Sequence, residues 1–525
     1  MTEPSATLTA EPSSTRPRCE APIVYAFAGL LVLAWLVTAA ANRHTLYQVD
    51  HVAGAWVAQS HWALNGDFYP PLASDGRFGG TRFGPLAIGL QAGAHALLGD
   101  PIVGPKALHA LYLVALCSGL WLVLGAMQLP RHVRLLLAVL PLATTIGWQA
   151  GLSIRHDALP AALQVWALVA LTRPSGYAPR LVVAAALLSA LAFLSKASAG
   201  WGFAAGALIL LQGSPRRLLI FVPCWGIAVG LGLGLVEWLS GGGFSENMRA
   251  CLFPPGAGAE PMSVGRAVEI AEKIAKRLIV EPVLIVLLMM SVLGVWHGRK
   301  RLPQVGIAFV VVALMSLYLM SKLGIDSNHL IDLVAVSVLG AGLWLSCERS
   351  VEQARNGLPA FGAAVLVVAG ASMAVVPASH YGPWGDRARV VAGAAAGLVG
   401  AAPLYSAEQE VRRQLSPDES MVSHYPMVPV LLGRDPIVAD SWMLRYTFAE
   451  HADVEAAFIA RIEAQSFDAF VFGRNVGPGL DFDDWHFGAS VLDAVREHYE
   501  LSDVGAFAVF RPKARDEAPA SGASE

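Results

Sequence analysis

The chain has 525 residues, 55% hydrophobic and 15% charged, with a formal net charge of −3; soluble domains carry about 25% charged residues, so an ordinary soluble protein is excluded. The charge is unevenly divided: from position 379 onward 12 basic residues stand against 22 acidic ones, which leaves +7 on the first 378 residues. No basic stripe points to nucleic acid, and the 5 cysteines lack the pairing or spacing of a disulfide framework or a zinc site.

Residues 1–22 are Ser/Thr/Pro-rich and predicted disordered. Runs long enough to cross about 30 Å of hydrocarbon follow at 23–41, 107–127, 135–152, 156–172, 181–195, 197–212, 218–236, 280–296, 302–321, 328–347 and 357–378. The expected fold is a polytopic α-helical membrane body of about eleven spans over residues 23–378, with longer loops at 42–106 and 238–279. The segment 83–99 (FGPLAIGLQAGAHALLG) is apolar but Gly-rich, and is read as a helix lying at the interface. A GLGLG run at 230–234 lies inside a span and reads as a close-packing surface, not a nucleotide loop.

From 379 to 512, short apolar runs (MVPVLL, FDAFVFG, GAFAVFRP) alternate with amphipathic helical stretches (EAAFIARIEA, VLDAVREHYE). That alternation predicts a small α/β domain, with a disordered tail over 513–525.

Orientation follows from the positive-inside rule. Every second connection is basic: Arg16 and Arg18, Arg131 and Arg134, Arg173 and Arg180, Arg216 and Arg217, Arg299 to Arg301, Arg349 and Arg355. These are the expected cytoplasmic connections, which places the N-terminus inside and the α/β domain outside.

Ionisable groups in or beside spans are costly and need a partner or a task. Here they gather at the predicted outer face: Asp50 in LYQVDHVAGAW, Arg155, His156 and Asp157 in GLSIRHDALP, Lys196 in AFLSKASAGW, and Lys322, Asp326, Asn328, His329 and Asp332 in SKLGIDSNHLIDL. Structural alternatives stand beside each. Arg155 and Asp157 can neutralise each other at a helix start. Lys196, with no carboxylate near it in sequence, can reach the headgroups. Asp50 can be a helix cap. His44, His51 and His61 form no metal-ligand pattern and read as solvated loop histidines, so no metal or other cofactor is read from the sequence.

The order of these features resembles the GT-C superfamily of membrane glycosyltransferases, especially the bacterial branch similar to protein O-mannosyltransferases and aminoarabinose transferases. It comprises an acidic residue after the first span, a first loop with GDFYPPL and RFGPLAIGLQAGAHALLGD, an R-x-D at a later span mouth, a Lys after the next span, and NHLIDL near the end. The resemblance covers about the first 350 residues. It implies an inverting enzyme of the bacterial inner membrane. Such an enzyme takes a sugar from a polyprenyl-phosphate donor and passes it to an envelope lipid, glycan or protein. Asp50 would be the general base. Arg155, Lys196, Arg82 and Lys322 would bind the donor phosphate, while Asp157, Asn328, His329 and Asp332 would contact substrate. Many relatives carry Asp-Glu where this chain has Asp50-His51, which puts a metal-assisted version in question. The competing readings are a polysaccharide polymerase, a lipid-linked sugar flippase, and a sensor whose outer domain binds a ligand.

Overall fold

The computed structural model describes residues 20–514 except 47–48, 75, 79, 174, 176, 253–263, 280, 299, 322–326, 348–406, 474–475, 477, 481–485 and 506. The predicted eleventh span (357–378), most of the segments read as disordered, Lys322, Asp326 and the side chain of Asn328 lie outside the described residues.

Each of the ten remaining predicted spans coincides with apolar helix. They are α1 (Glu20–Asn42), α4 (Val103–Ala126), α5 with α6 (Arg131–Val139 and Thr145–Leu152), α7 (Ala158–Thr172), α8 (Pro179–Ser195), α9 (Trp201–Gly213), α10 (Leu218–Leu239), α13 (Pro282–Gly298), α14 (Pro303–Met320) and α15 (Ile331–Cys347). Among the described residues, four helices have the length and apolar character to cross a membrane by themselves: Ala21–Asn42, Val103–Ala126, Pro215–Leu239 and Pro303–Met320. The stretch 135–152 is not one helix. It bends by 76° where Pro141 enters a 3₁₀ turn and Thr144 starts a new helix by accepting from the Gly147 N–H at 2.9 Å. Glu281 reinforces that start by accepting from the N–H groups of Thr145 and Ile146, both at 3.1 Å. A carboxylate at a helix N-terminus satisfies orphan donors and complements the dipole.

The connections alternate between the two ends of the bundle. At one end, Arg301 donates to the Ser346 carbonyl and to the Met127 carbonyl at 3.5 Å, and Gln304 donates to the Tyr177 hydroxyl at 3.4 Å. Four connections that the charge pattern groups together are thus neighbours in space. At the other end the buried Lys106 donates to the carbonyls of Asn42 and Thr45, at 2.9 and 2.8 Å, tying the start of α4 to the end of α1.

The same end carries α2 (His51–Leu64) and α3 (Pro85–Leu98). A Cβ on Gly84, just before α3, would meet Ser195 O at 2.3 Å, and one on Gly104 would meet Ala94 O at 2.3 Å. Both ends of α3 therefore touch elements of this one end, at the close of α8 and the start of α4. Between α2 and α3, the hairpin β1 (Ala73–Ser74) and β2 (Arg77–Phe78) is anchored by Asn247. That side chain donates to Pro70 O at 2.9 Å and accepts from Thr81 N at 2.7 Å. Asn247 belongs to α11 (Gly243–Leu252), which with α12 (Val264–Ile279) makes much of the predicted 238–279 loop helical. Among the described residues, the GLGLG run packs only in part: a Cβ on Gly232 would meet Leu194, whereas one on Gly230 or Gly234 would meet nothing within 4 Å.

Residues 407–514 form an α/β unit on a four-stranded mixed sheet. The strand order is β3 (Met421–Ser423), β4 (Ala469–Gly473), β6 (Phe507–Pro512), β5 (Tyr499–Val504), parallel between β3 and β4 and antiparallel elsewhere. All five residues of β4 are buried, as a strand covered on both faces requires. The amphipathic helices at Ala452–Glu463 and Ala489–His498 pack Phe458, Ile462, Val491 and Val495 onto the sheet beside Phe470, Phe472 and Phe510. MVPVLL forms a short helix, Met427–Leu431, because the neighbouring Ser423 hydroxyl turns the chain by accepting from Tyr425 N at 3.0 Å and Pro429 has no N–H for a ladder. This helix lies on α2, where Gly54 leaves room for Pro426. The β2 strand joins the unit: Phe78 N donates to Ile437 O at 2.7 Å and Ala439 N to Phe78 O at 3.2 Å. The α/β unit is thus built into the end of the bundle that carries α2 and α3.

Candidate functional site

The site begins at the first residues beyond α1. Asp50 caps α2, its Oδ1 accepting from Ala53 N at 2.9 Å, and is also gripped by the Arg155 guanidinium through Nη2 to Oδ2 and Nε to Oδ1 at 3.4 Å. The side chains are 19% and 6% exposed, so a fork of charge-assisted bonds holds the carboxylate at a water-accessible edge. Burial pushes the Asp50 carboxyl up, but Arg155, His51 and the Ala53 N–H together hold it below its ordinary value.

Arg155 and Asp157 each have an ion-pair partner outside their own turn. They lie on the turn between α6 and α7, and each takes a partner from elsewhere: Arg155 takes Asp50, and Asp157 takes Lys196 at the end of α8. Lys196, without a carboxylate nearby in sequence, has one in space. Its side chain is 24% exposed against 5% for Asp157. His329 and Asp332 stand within electrostatic reach of this second pair, and Asp332 accepts from Trp201 Nε1 at 2.8 Å. His156, between the two charged residues of the turn, bonds to Gln91 of α3 and packs on Trp56 and His109 with ring centroids 4.4 and 4.3 Å away. That buried polar layer braces the mouth of α7 from behind.

The α/β unit supplies residues that nothing in the first 350 positions could reveal. The Arg82 guanidinium lies 3.9 Å over the Trp442 ring, a cation–π contact, and acts electrostatically on His51 and Asp440. Asp440 is buried and caps the following helix by accepting from Trp442 N at 3.0 Å; burial raises its carboxyl against the opposing charges of Arg82 and His51.

The three loop histidines are not equivalent. His44 faces Asp100 at 3.8 Å, and His61 bonds to Asp435 at 2.9 Å. His51 is a half-buried helix residue, not a solvated loop one, and stands against His424 and His486 of the α/β unit with ring centroids 5.2 and 4.7 Å away. The α/β character of this stretch was legible from its periodicity, but the part it plays here depends on single residues with no motif around them.

Chemically, the described residues bring two carboxylate–cation pairs, a further arginine and a buried carboxylate to one mouth of the bundle. Such a mouth can hold an anion and polarise a hydroxyl beside it. No protein-family model and no curated protein matches the chain. Among solved structures, ArnT from Cupriavidus metallidurans bound to undecaprenyl phosphate is similar over 94% of this chain and 99% of its own, with a TM-score of 0.59 at 14% identity. The apo state of the same protein is similar over 93% and 97%, with a TM-score of 0.53 at 14% identity. Over nearly its whole length, the fold of this chain is similar to that of ArnT.

Proposed function

We propose that this protein transfers a sugar from a polyprenyl-phosphate donor to a lipid, glycan or protein of the cell envelope, at the extracytoplasmic face of the bacterial inner membrane. The observation that carries the reading is the pair of ion pairs, Asp50–Arg155 and Asp157–Lys196, at one mouth of the bundle, in a fold similar to an ArnT structure that holds undecaprenyl phosphate. The described chain near Met127, Tyr177 and Arg301, in three of the basic connections, lies together at the opposite end, which under the positive-inside rule supports reading this mouth as the outer one.

In this reading Asp50 accepts the proton of the acceptor hydroxyl as its oxygen bonds to the anomeric carbon from the face opposite the phosphate. The carbon–oxygen bond to phosphate breaks, the configuration inverts, and polyprenyl phosphate leaves. Arg155 keeps Asp50 ionised and aimed. Lys196, the more exposed cation, exchanges Asp157 for the donor phosphate, where fixed positive charge favours the leaving group. Arg82 and Lys322 are further phosphate ligands, while Asp157, Asn328, His329 and Asp332 meet the sugar. The test is turnover by the purified chain in lipid, given a polyprenyl-phosphate sugar and envelope extract. Release of polyprenyl phosphate with a new glycosylated product supports the proposal, and donor movement across the bilayer without product rejects it in favour of a flippase.

A further inference from the structure

We propose that His51, His424 and His486 form a binding site for a divalent transition metal of the zinc type, which fastens the α/β unit to the first outer loop. The three residues come from separate elements. His51 is the first residue of α2; His424 follows β3 and is held there by donation from its N–H to Val471 O at 2.8 Å; His486 precedes the helix Ala489–His498. Their rings nonetheless converge, His424 and His486 having centroids 4.3 Å apart, and one ligand nitrogen from each lies within 4.8 Å of the others.

Three imidazoles, the ligand donors of this cluster among the described residues, select the ion class. Zinc and its neighbours accept nitrogen readily, whereas magnesium and calcium demand oxygen shells. Zinc–nitrogen bonds of about 2.0–2.1 Å put tetrahedral ligand atoms about 3.3 Å apart, so ring rotation with small backbone adjustment closes the set. Asp50 and Asp440 act electrostatically on His51 and supply the negative surroundings that favour a dication. The inference does not depend on the glycosyltransferase reading, because its test reads binding and not transfer.

The experiment uses the full chain, purified in detergent and stripped with a chelator. Titration with Zn²⁺ is followed calorimetrically, and titration with Co²⁺ by its visible absorption. Wild type is expected to bind one Zn²⁺ per chain, to show the strong absorption of tetrahedral Co²⁺, and to melt at a higher temperature with Zn²⁺ than without. His486→Gln, at a half-buried position, should weaken binding by about 100-fold or more and lose the Zn²⁺-dependent rise in Tm, while His61→Ala binds as wild type does. A folded His486→Gln that binds Zn²⁺ like wild type overturns the site. So does a wild type that takes up no Zn²⁺ or Co²⁺, or that prefers Mg²⁺.

Discussion

Replacing Asp50 by Asn separates two roles that one carboxylate holds at once. Asn caps a helix about as well as Asp, so the bond from Ala53 N, 2.9 Å in the native chain, survives. What is lost is the charge facing Arg155, whose side chain is only 6% exposed. Breaking a buried pair costs about 3–5 kcal/mol. Asp50 itself is 19% exposed and Asp157 remains within electrostatic reach of Arg155, so the loss should sit near the lower end, about 3 kcal/mol. Thermal melts should therefore fall by several degrees, and transfer per folded molecule by about 10²-fold or more if Asp50 is the base. The double variant Asp50→Asn/Arg155→Gln removes both charges and should recover much of the melting temperature with none of the activity. The assay is turnover from a polyprenyl-phosphate sugar, normalised to folded protein in the same sample. Near-normal turnover by folded Asp50→Asn would refute the base assignment, leaving Asp50 a cap and ion-pair partner.

Lys196→Ala removes a charge-assisted contact worth about 1.5–3 kcal/mol and should raise the donor concentration needed by about 10- to 150-fold. A lowered Tm with unchanged donor dependence in Lys196→Ala would show the lysine merely neutralising Asp157. Asp440→Asn tests the burial cost of that carboxyl. Because Asp440 titrates above its ordinary 3.8 in the folded state, the folded chain holds a proton that the unfolded chain has already released, and stability falls as pH rises through that window. The substitution keeps the cap and should raise Tm more at pH 7 than at pH 4, whereas a lower Tm at pH 7 would mean that Arg82 and His51 outweigh burial. Alkaline phosphatase fused after position 514 should be active and after Arg301 inactive in a bacterial host, and the reverse pair of results would overturn the orientation.

Sequence alone determined the apolar helical body, the positions of the ten described apolar stretches and the α/β character of the C-terminal unit, because each rests on local composition or periodicity. Hydrocarbon demands about 20 apolar residues per helical crossing, and a half-buried helix or strand repeats every 3.6 or 2 residues; these demands are met within a single stretch of chain. The gathering of Asp50, Arg155, Asp157, Lys196 and Asp332 was legible for a related reason, since charges beside apolar runs can be sorted to one end by the alternation of loops. Which charge pairs with which was not legible. Arg155 and Asp157 are two positions apart, yet the turn between α6 and α7 directs them to Asp50 and Lys196, and side-chain direction at a bend is decided by what packs against it. Nor could local pattern reveal the bend in 135–152, which is completed by Glu281, or the meeting of His51 with His424 and His486. Those contacts join residues far apart in the chain, and only the docking of the α/β unit onto α2 and β2 brings them within bonding range.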